Sequence, residues 1–135
     1  MSRTWLITGV SSGFGYEMTK QLLEAGDTVI GTVRNTDKVQ GLIDQYPDTF
    51  DWQILDVTKA DKVHKLIKAM FEKHKRIDVV VSNAGYGLFG AAEELSDEAI
   101  RHIVDTNLLG SIFVIRDSLP FLREQGGGRV IQLSS

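Results

Sequence analysis

Apolar residues along this chain follow two rhythms: short unbroken runs alternate with longer stretches at helical spacing. The runs Thr4 to Thr8, Thr28 to Val33, Trp52 to Leu55, Val79 to Ser82 and Val130 to Leu133 predict β-strands. Between the first two, Phe14, Met18, Leu22 and Ala25 repeat at helical intervals until Gly26 closes the segment. Asp37 to Gln45 predicts a short helix that Pro47 cannot continue. Val63, Leu66, Ile67, Met70 and Phe71 form one face of an amphipathic helix. Ser96 is a predicted N-cap, with Asp97 and Glu98 placed to favour the helix dipole. The helix it starts is expected to run to Glu124, bending near Gly110 and Pro120. Strands that are apolar throughout and alternate with helices predict an α/β fold, a parallel sheet covered on both faces.

The chemistry concentrates where strands end. Gly9-Val10-Ser11-Ser12-Gly13-Phe14-Gly15 follows the first strand and opens the first helix. A pyrophosphate needs exposed backbone N–H groups, a helix N-terminus and no side chain blocking its approach, and this loop supplies all three. The spacing is G-x-x-x-G-x-G, which differs from the commoner G-x-G-x-x-G dinucleotide fingerprint. Asn83-Ala84-Gly85 closes the fourth strand. A doubly wound Rossmann-type sheet has the order 3-2-1-4-5, so these two loops would face each other across its switch-point crevice.

Thr8-Gly9-x-x-x-Gly13-x-Gly15, Asp56-Val57, Asn83-Ala84-Gly85, Asn107 and Ser134-Ser135 together resemble the short-chain dehydrogenase/reductase family, in its order and spacing over all 135 residues. The resemblance implies hydride transfer between NAD(P) and an alcohol or carbonyl. It implies that Asp56 contacts the adenine amino group, with Val57 beside it, and that Asn83, Ala84 and Gly85 pack against the adenine ribose. It further implies that Ser135 orients the substrate and that Asn107 serves a proton relay. Asn107 also sits in the apolar stripe Ile100, Ile103, Val104 and Leu108, where a buried amide is expected to find partners. The family's Tyr-x-x-x-Lys proton donor lies beyond its serine, so residues 1–135 are expected to be the cofactor-binding half of a longer enzyme, inactive alone. The Tyr16 to Lys20 match falls on the first helix and is expected to be ordinary helix surface.

Cofactor choice is read at the end of the second strand, where an acid would hold the ribose 2′-OH of NAD. That strand ends Thr32-Val33-Arg34-Asn35-Thr36, without an acid. Arg34 presents a guanidinium fork suited to the 2′-phosphate of NADP, so NADP is expected over NAD. The competing expectation for Arg34 is a pair with a surface carboxylate, or a stack on adenine.

Composition removes other classes. The chain has no cysteine, which excludes disulfides and thiolate chemistry. A formal charge of −3 gives no general reason to expect nucleic acid or a membrane as partner. Seven of the fifteen cations do cluster between Lys59 and Arg76, but Lys62, Lys65 and Lys68 lie opposite the apolar stripe, as on any solvated helix. The three histidines lack metal spacing and are expected at the surface. Gly9-x-Ser11-x-Gly13 also satisfies the hydrolase elbow, with Ser11 as nucleophile, but no preceding segment would build its oxyanion hole. Met1-Ser2-Arg3 leads directly into a strand, so the expectation is a cytoplasmic protein, homo-oligomeric when complete. A non-catalytic NADP(H) sensor remains the alternative to an enzyme.

Overall fold

Leu6 and Ile7 are neighbours in β1 (Thr4–Ile7), yet each anchors a different core. Successive strand side chains leave opposite faces of a sheet, so an unbroken apolar run belongs to a strand packed on both sides. The same alternation splits Val29 from Ile30 in β2 (Thr28–Val33), and Val80 from Val79 and Val81 in β4 (Val79–Ser82). The computed structural model describes residues 2–83 and 95–133. Within them β3 (Phe50–Ile54) and β5 (Arg129–Gln132) complete a parallel sheet in the order β3-β2-β1-β4-β5. The doubly wound Rossmann topology expected from the pattern is the one observed.

Two helices lie against one face, α1 (Gly13–Glu24) and the short α2 (Gln40–Gln45), which a 3₁₀ turn at Asp37–Val39 precedes. Leu23, Val39 and Leu42 bring them onto the core that holds Ile7 and Val29. On the other face, α3 (Ala60–His74) inserts Val63, Ile67, Met70 and Phe71 beside Leu6 and Val80. The helical run after β4 begins with α4 (Asp97–Val104) and ends with α5 (Gly110–Glu124), whose Val114 and Leu122 enter that second core. Phe71 of α3 and Phe121 of α5 stack with ring centroids 5.0 Å apart. Ser96 caps α4 as expected, its Oγ accepting from the Ala99 N–H at 3.0 Å.

The run expected to be one helix is broken next to Gly110. The ladder changes before Gly110, at Asp105–Leu109, which form a π-helical turn, and Pro120 lies inside α5. The stripe is already turned away from the core before this turn, since α4 has no buried residue. The buried positions are instead Thr106, Gly110, Ser111, Val114, Asp117, Ser118 and Leu122. Ile100, Val104 and Leu108 are exposed, Leu108 at 56%, and Asn107 is exposed with them. The expectation of a buried Asn107 amide is therefore corrected.

Four smaller corrections concern the rest of the fold. β3 starts two residues earlier than its apolar run, because Phe50 pairs with Val29 and fills the core. Full coverage of both faces fails at the sheet's edges, where Ile54 is 55% exposed and Trp52 is also exposed. Tyr16 packs half-buried against the Ile7 core, although Lys20 is exposed as expected. His74 is not a free surface residue either, since its Nε2 lies 2.8 Å from Asp51 Oδ2.

Candidate functional site

The loop after β1 is held from beneath by the end of β2. Gly9 N–H reaches both the Thr32 carbonyl and the Thr32 hydroxyl at 3.1 Å, and Val10 N–H reaches the same carbonyl at 3.0 Å. Gly9 adopts φ +73° and Gly13 φ +58°, conformations in which a Cβ is strained. Gly15 has a different need. A Cβ there would collide with the Gly9 carbonyl oxygen and with Asn83 Nδ2. That space is closed because Asn83 crosses from β4 and donates from Nδ2 to the Gly9 carbonyl at 2.9 Å. Asn83 N–H in turn donates to the Thr8 hydroxyl at 2.9 Å. The two loops expected to oppose each other are thus bonded together at the β1–β4 switch point.

The N-terminus of α1 carries neither a side-chain cap nor an acid. Ser12 stands at the N-cap position but its side chain accepts no helix N–H, and no acid occupies the first turn. α3 and α4, in contrast, carry Asp61 and the pair Asp97 and Glu98 in their first turns. Leaving α1 uncapped and free of negative charge keeps its N–H groups and positive dipole end available to a phosphate.

Above this floor lies a cleft of about 380 Å³. Gly9, Ser11, Ser12, Gly13 and Phe14 form one wall, with Phe14 at the mouth and 62% exposed. Arg34, Val57 and Asn83 line it as expected, Gly15 is not among the lining residues, and Asp56 stands beside Arg34. Thr32, Val33, Leu55 and Thr106 also line the cleft and were not read from sequence. Val33 and Leu55 directly precede residues that were, and Thr32 lies one further back, so strand-end position was the usable signal. Thr106 had none. The structure does not bring Asn107 into the lining; its neighbour Thr106 takes that place. Ala84, Gly85 and Ser135 lie outside the described residues.

Arg34 follows β2 and Asp56 follows β3, and their side chains meet, Nη2 to Oδ1, at 3.2 Å. The expectation that Arg34 pairs with a carboxylate is met in the protein alone. Asp56 Oδ1 also accepts the Thr58 N–H at 3.0 Å and the Thr58 hydroxyl at 2.7 Å. Burial pushes the Asp56 carboxyl up, but these bonds and the Arg34 charge outweigh it and hold it below the usual carboxylate range. A second set of carboxylate bonds lies away from the cleft, where Asp51 accepts from Lys73 Nζ at 2.9 Å and from Gln53 Nε2 at 2.7 Å.

The family model for short chain dehydrogenases matches residues 3–135. The chain belongs to this family. It is 36% identical over 136 residues to Oxidoreductase BOA17 of Botryotinia fuckeliana, covering 100% of this chain and 50% of that protein. A short-chain dehydrogenase structure from Streptomyces avermitilis superposes with a TM-score of 0.92 at 37% identity, over 100% of this chain and 50% of that one. The structure of ElxO with NADP bound superposes with a TM-score of 0.89 at 29% identity, over 100% of this chain and 56% of its own. This short-chain dehydrogenase sequence spans about half the length of the curated relatives it matches. Among its described residues no helix is long and apolar enough to cross a membrane.

Proposed function

We propose that residues 1–135 are the NADP(H)-binding domain of a short-chain dehydrogenase that moves hydride between a nicotinamide and an alcohol or carbonyl substrate. The observation that carries this reading is the uncapped, acid-free N-terminus of α1 opening into a cleft that also holds Arg34. The residues present fit a dinucleotide. The Gly9 to Gly15 loop would hold the pyrophosphate, Asp56 and Val57 the adenine, Asn83 to Gly85 the ribose, and Arg34 the 2′-phosphate. Bound there, the cofactor supplies hydride at its nicotinamide ring. This chain's own residues bind and orient it. Ser135 is assigned to the substrate oxygen, and Asn107, exposed in the π-helical turn, to a water in the proton path. The proton donor itself is assigned to sequence beyond Ser135, so the domain alone is expected to be inactive.

A non-catalytic sensor reading has no particular observation in its favour. For the complete protein we assign homo-oligomerisation and a cytoplasmic setting. The exposed stripe Ile100, Val104, Leu108 and Ile112 supports the first, since apolar rows of this kind favour a covered state. The cofactor assignment is tested by titrating NADPH and NADH by fluorescence with Arg34→Asp alongside. NADPH should bind the unmodified protein roughly thirtyfold more tightly, a preference the variant loses. Tighter NADH binding to the unmodified protein overturns the assignment.

A further inference from the structure

β3 ends the sheet on the side away from β5, and among the described residues no strand pairs with its outer edge. Leu55 N–H reaches the Val33 carbonyl at 3.0 Å, and Val29 N–H reaches the Thr49 carbonyl at 2.8 Å. Thr49 and Leu55 therefore turn their backbone groups toward β2. Backbone direction alternates along a strand, so Phe50, Trp52 and Ile54 turn theirs outward. Of these groups the Phe50 N–H is engaged, by the Tyr46 carbonyl at 3.0 Å. A groove follows the edge, lined by the strand together with Pro47, Asp48, Lys73 and His74. Free edges are ordinarily blunted by lysine, proline, a bulge or an unpaired charge. Phe50–Ile54 contains neither lysine nor proline, and its register with β2 runs unbroken from Val29 opposite Phe50 to Val33 opposite Ile54. Its single charge, Asp51, is taken up by Lys73 Nζ at 2.9 Å. Trp52 and Ile54 stay exposed, at 39% and 55%.

The strand is also complementary to itself. Set antiparallel to a second copy and centred on Trp52, Phe50 faces the partner's Ile54, Asp51 faces the partner's Gln53, and Trp52 faces the partner's Trp52. Apolar side chains meet on one face of the sheet, and a carboxylate meets an amide donor on the other, which are favourable cross-strand pairs. The backbone groups that turn outward are the ones this register uses. Trp52 exchanges two hydrogen bonds with its counterpart, and each Ile54 N–H donates to the Phe50 carbonyl opposite. A slip of one residue sets the Trp52 side chain against a polar position and loses the match. We propose that β3 is a docking edge for a second copy of this chain, joined to it antiparallel about a two-fold axis at Trp52. The sheets of the two copies then form one continuous sheet. This surface is separate from the stripe of Ile100, Val104 and Leu108, and it does not depend on the dinucleotide reading of the cleft.

The test uses the complete protein, with any cysteine outside residues 1–135 replaced by serine. Residues 1–135 contain none, so one introduced thiol reports one contact. Facing residues of a hydrogen-bonded antiparallel pair lie about 5.5 Å apart between Cα atoms, within reach of a disulfide. Trp52→Cys should therefore give a covalent dimer under mild oxidation. Ile54→Cys should not, because the two copies of that residue stand roughly 14 Å apart along the paired strands. Without oxidation, Trp52→Lys puts a charge on the edge and should halve the mass measured by sedimentation. Ala69→Lys adds the same charge on the exposed side of α3 and should leave the mass unchanged. Should Trp52→Lys fail to fold, the two cysteine variants decide alone. The inference is overturned by the absence of a covalent dimer in Trp52→Cys or by equal cross-linking of Ile54→Cys. It is likewise overturned by an unchanged mass in folded Trp52→Lys or by a mass halved equally in Ala69→Lys.

Discussion

The guanidinium of Arg34 lies 3.2 Å from the carboxylate of Asp56, joining the ends of β2 and β3 at the mouth of the cleft. Both side chains are well exposed, so the pair itself contributes little to stability, less than about 1 kcal/mol. Its consequence is for binding. The charge assigned to a cofactor phosphate is already shared with a carboxylate, and a 2′-phosphate must compete for it through solvent.

NADPH affinity should therefore fall more steeply with salt than NADH affinity. Exposed charges are screened over about 10 Å at 0.1 M salt, and the extra phosphate makes NADPH the more sensitive ligand. Titrations of both cofactors between about 0.05 M and 0.5 M salt measure the two slopes. Arg34→Ala should bring them together. Parallel slopes in the unmodified protein would show that Arg34 takes no phosphate.

Gly13 and Gly15 should respond differently to alanine. At Gly13 nothing lies within 4 Å of an added Cβ, so only the strain of φ +58° is felt, about 1 kcal/mol. At Gly15 the added methyl meets the Gly9 carbonyl and Asn83 Nδ2, which are themselves bonded to each other. Gly15→Ala should cost roughly 1–3 kcal/mol and break the link between the two loops. Urea denaturation gives the stabilities, and NADPH titration should show the larger loss for Gly15→Ala. Equal behaviour of the two variants contradicts this account of the loop.

Acid should weaken the fold through Asp51. Burial pushes its carboxyl up, but bonds from Lys73, His74 and Gln53 win and hold it below the usual carboxylate range. A depressed folded pKa means stability that is fully present above the unfolded value and lost as pH falls through the folded one. Asp56 and Asp78 are shifted in the same direction. Asp51→Asn should cost roughly 1–3 kcal/mol at neutral pH. The difference from the unmodified protein should close as pH falls below the usual carboxylate range. Urea midpoints measured across that range test it, and a difference independent of pH would assign Asp51 a packing role only.

Lys75 ends α3 at φ +66°, the one described residue other than glycine with positive φ. Glycine holds that conformation without a Cβ penalty, so Lys75→Gly should stabilise the protein by roughly 1 kcal/mol. A thermal melt with no rise, or a fall, would show that the lysine side chain offsets the strain.

The legibility of this protein divides by the range of the interactions involved. Sheet class and the glycine loop between β1 and α1 could be read directly from sequence. Each is encoded within a few consecutive residues: Val79 to Ser82 is apolar on both faces, and Gly9, Gly13 and Gly15 sit between a strand and a helix. Arg34 was legible for the same reason, as the residue that directly follows β2. The π-helical turn at Asp105–Leu109 was not legible, because it departs from the helical period on which the reading depended.

Within that turn Asn107 is exposed and its neighbour Thr106 is buried. Next to it Gly110 packs on Val57, and α5 meets α3 through Phe71 and Phe121. The sequence alone determined the two-sided strands, the helices between them and the glycine loop, since these follow from local period and backbone sterics. Tertiary structure alone decided that Asn83 seals the floor, that Asp56 holds Arg34 and that Thr106 lines the cleft. Those are meetings of residues far apart in the chain, and only close packing of the whole domain fixes which side chains meet.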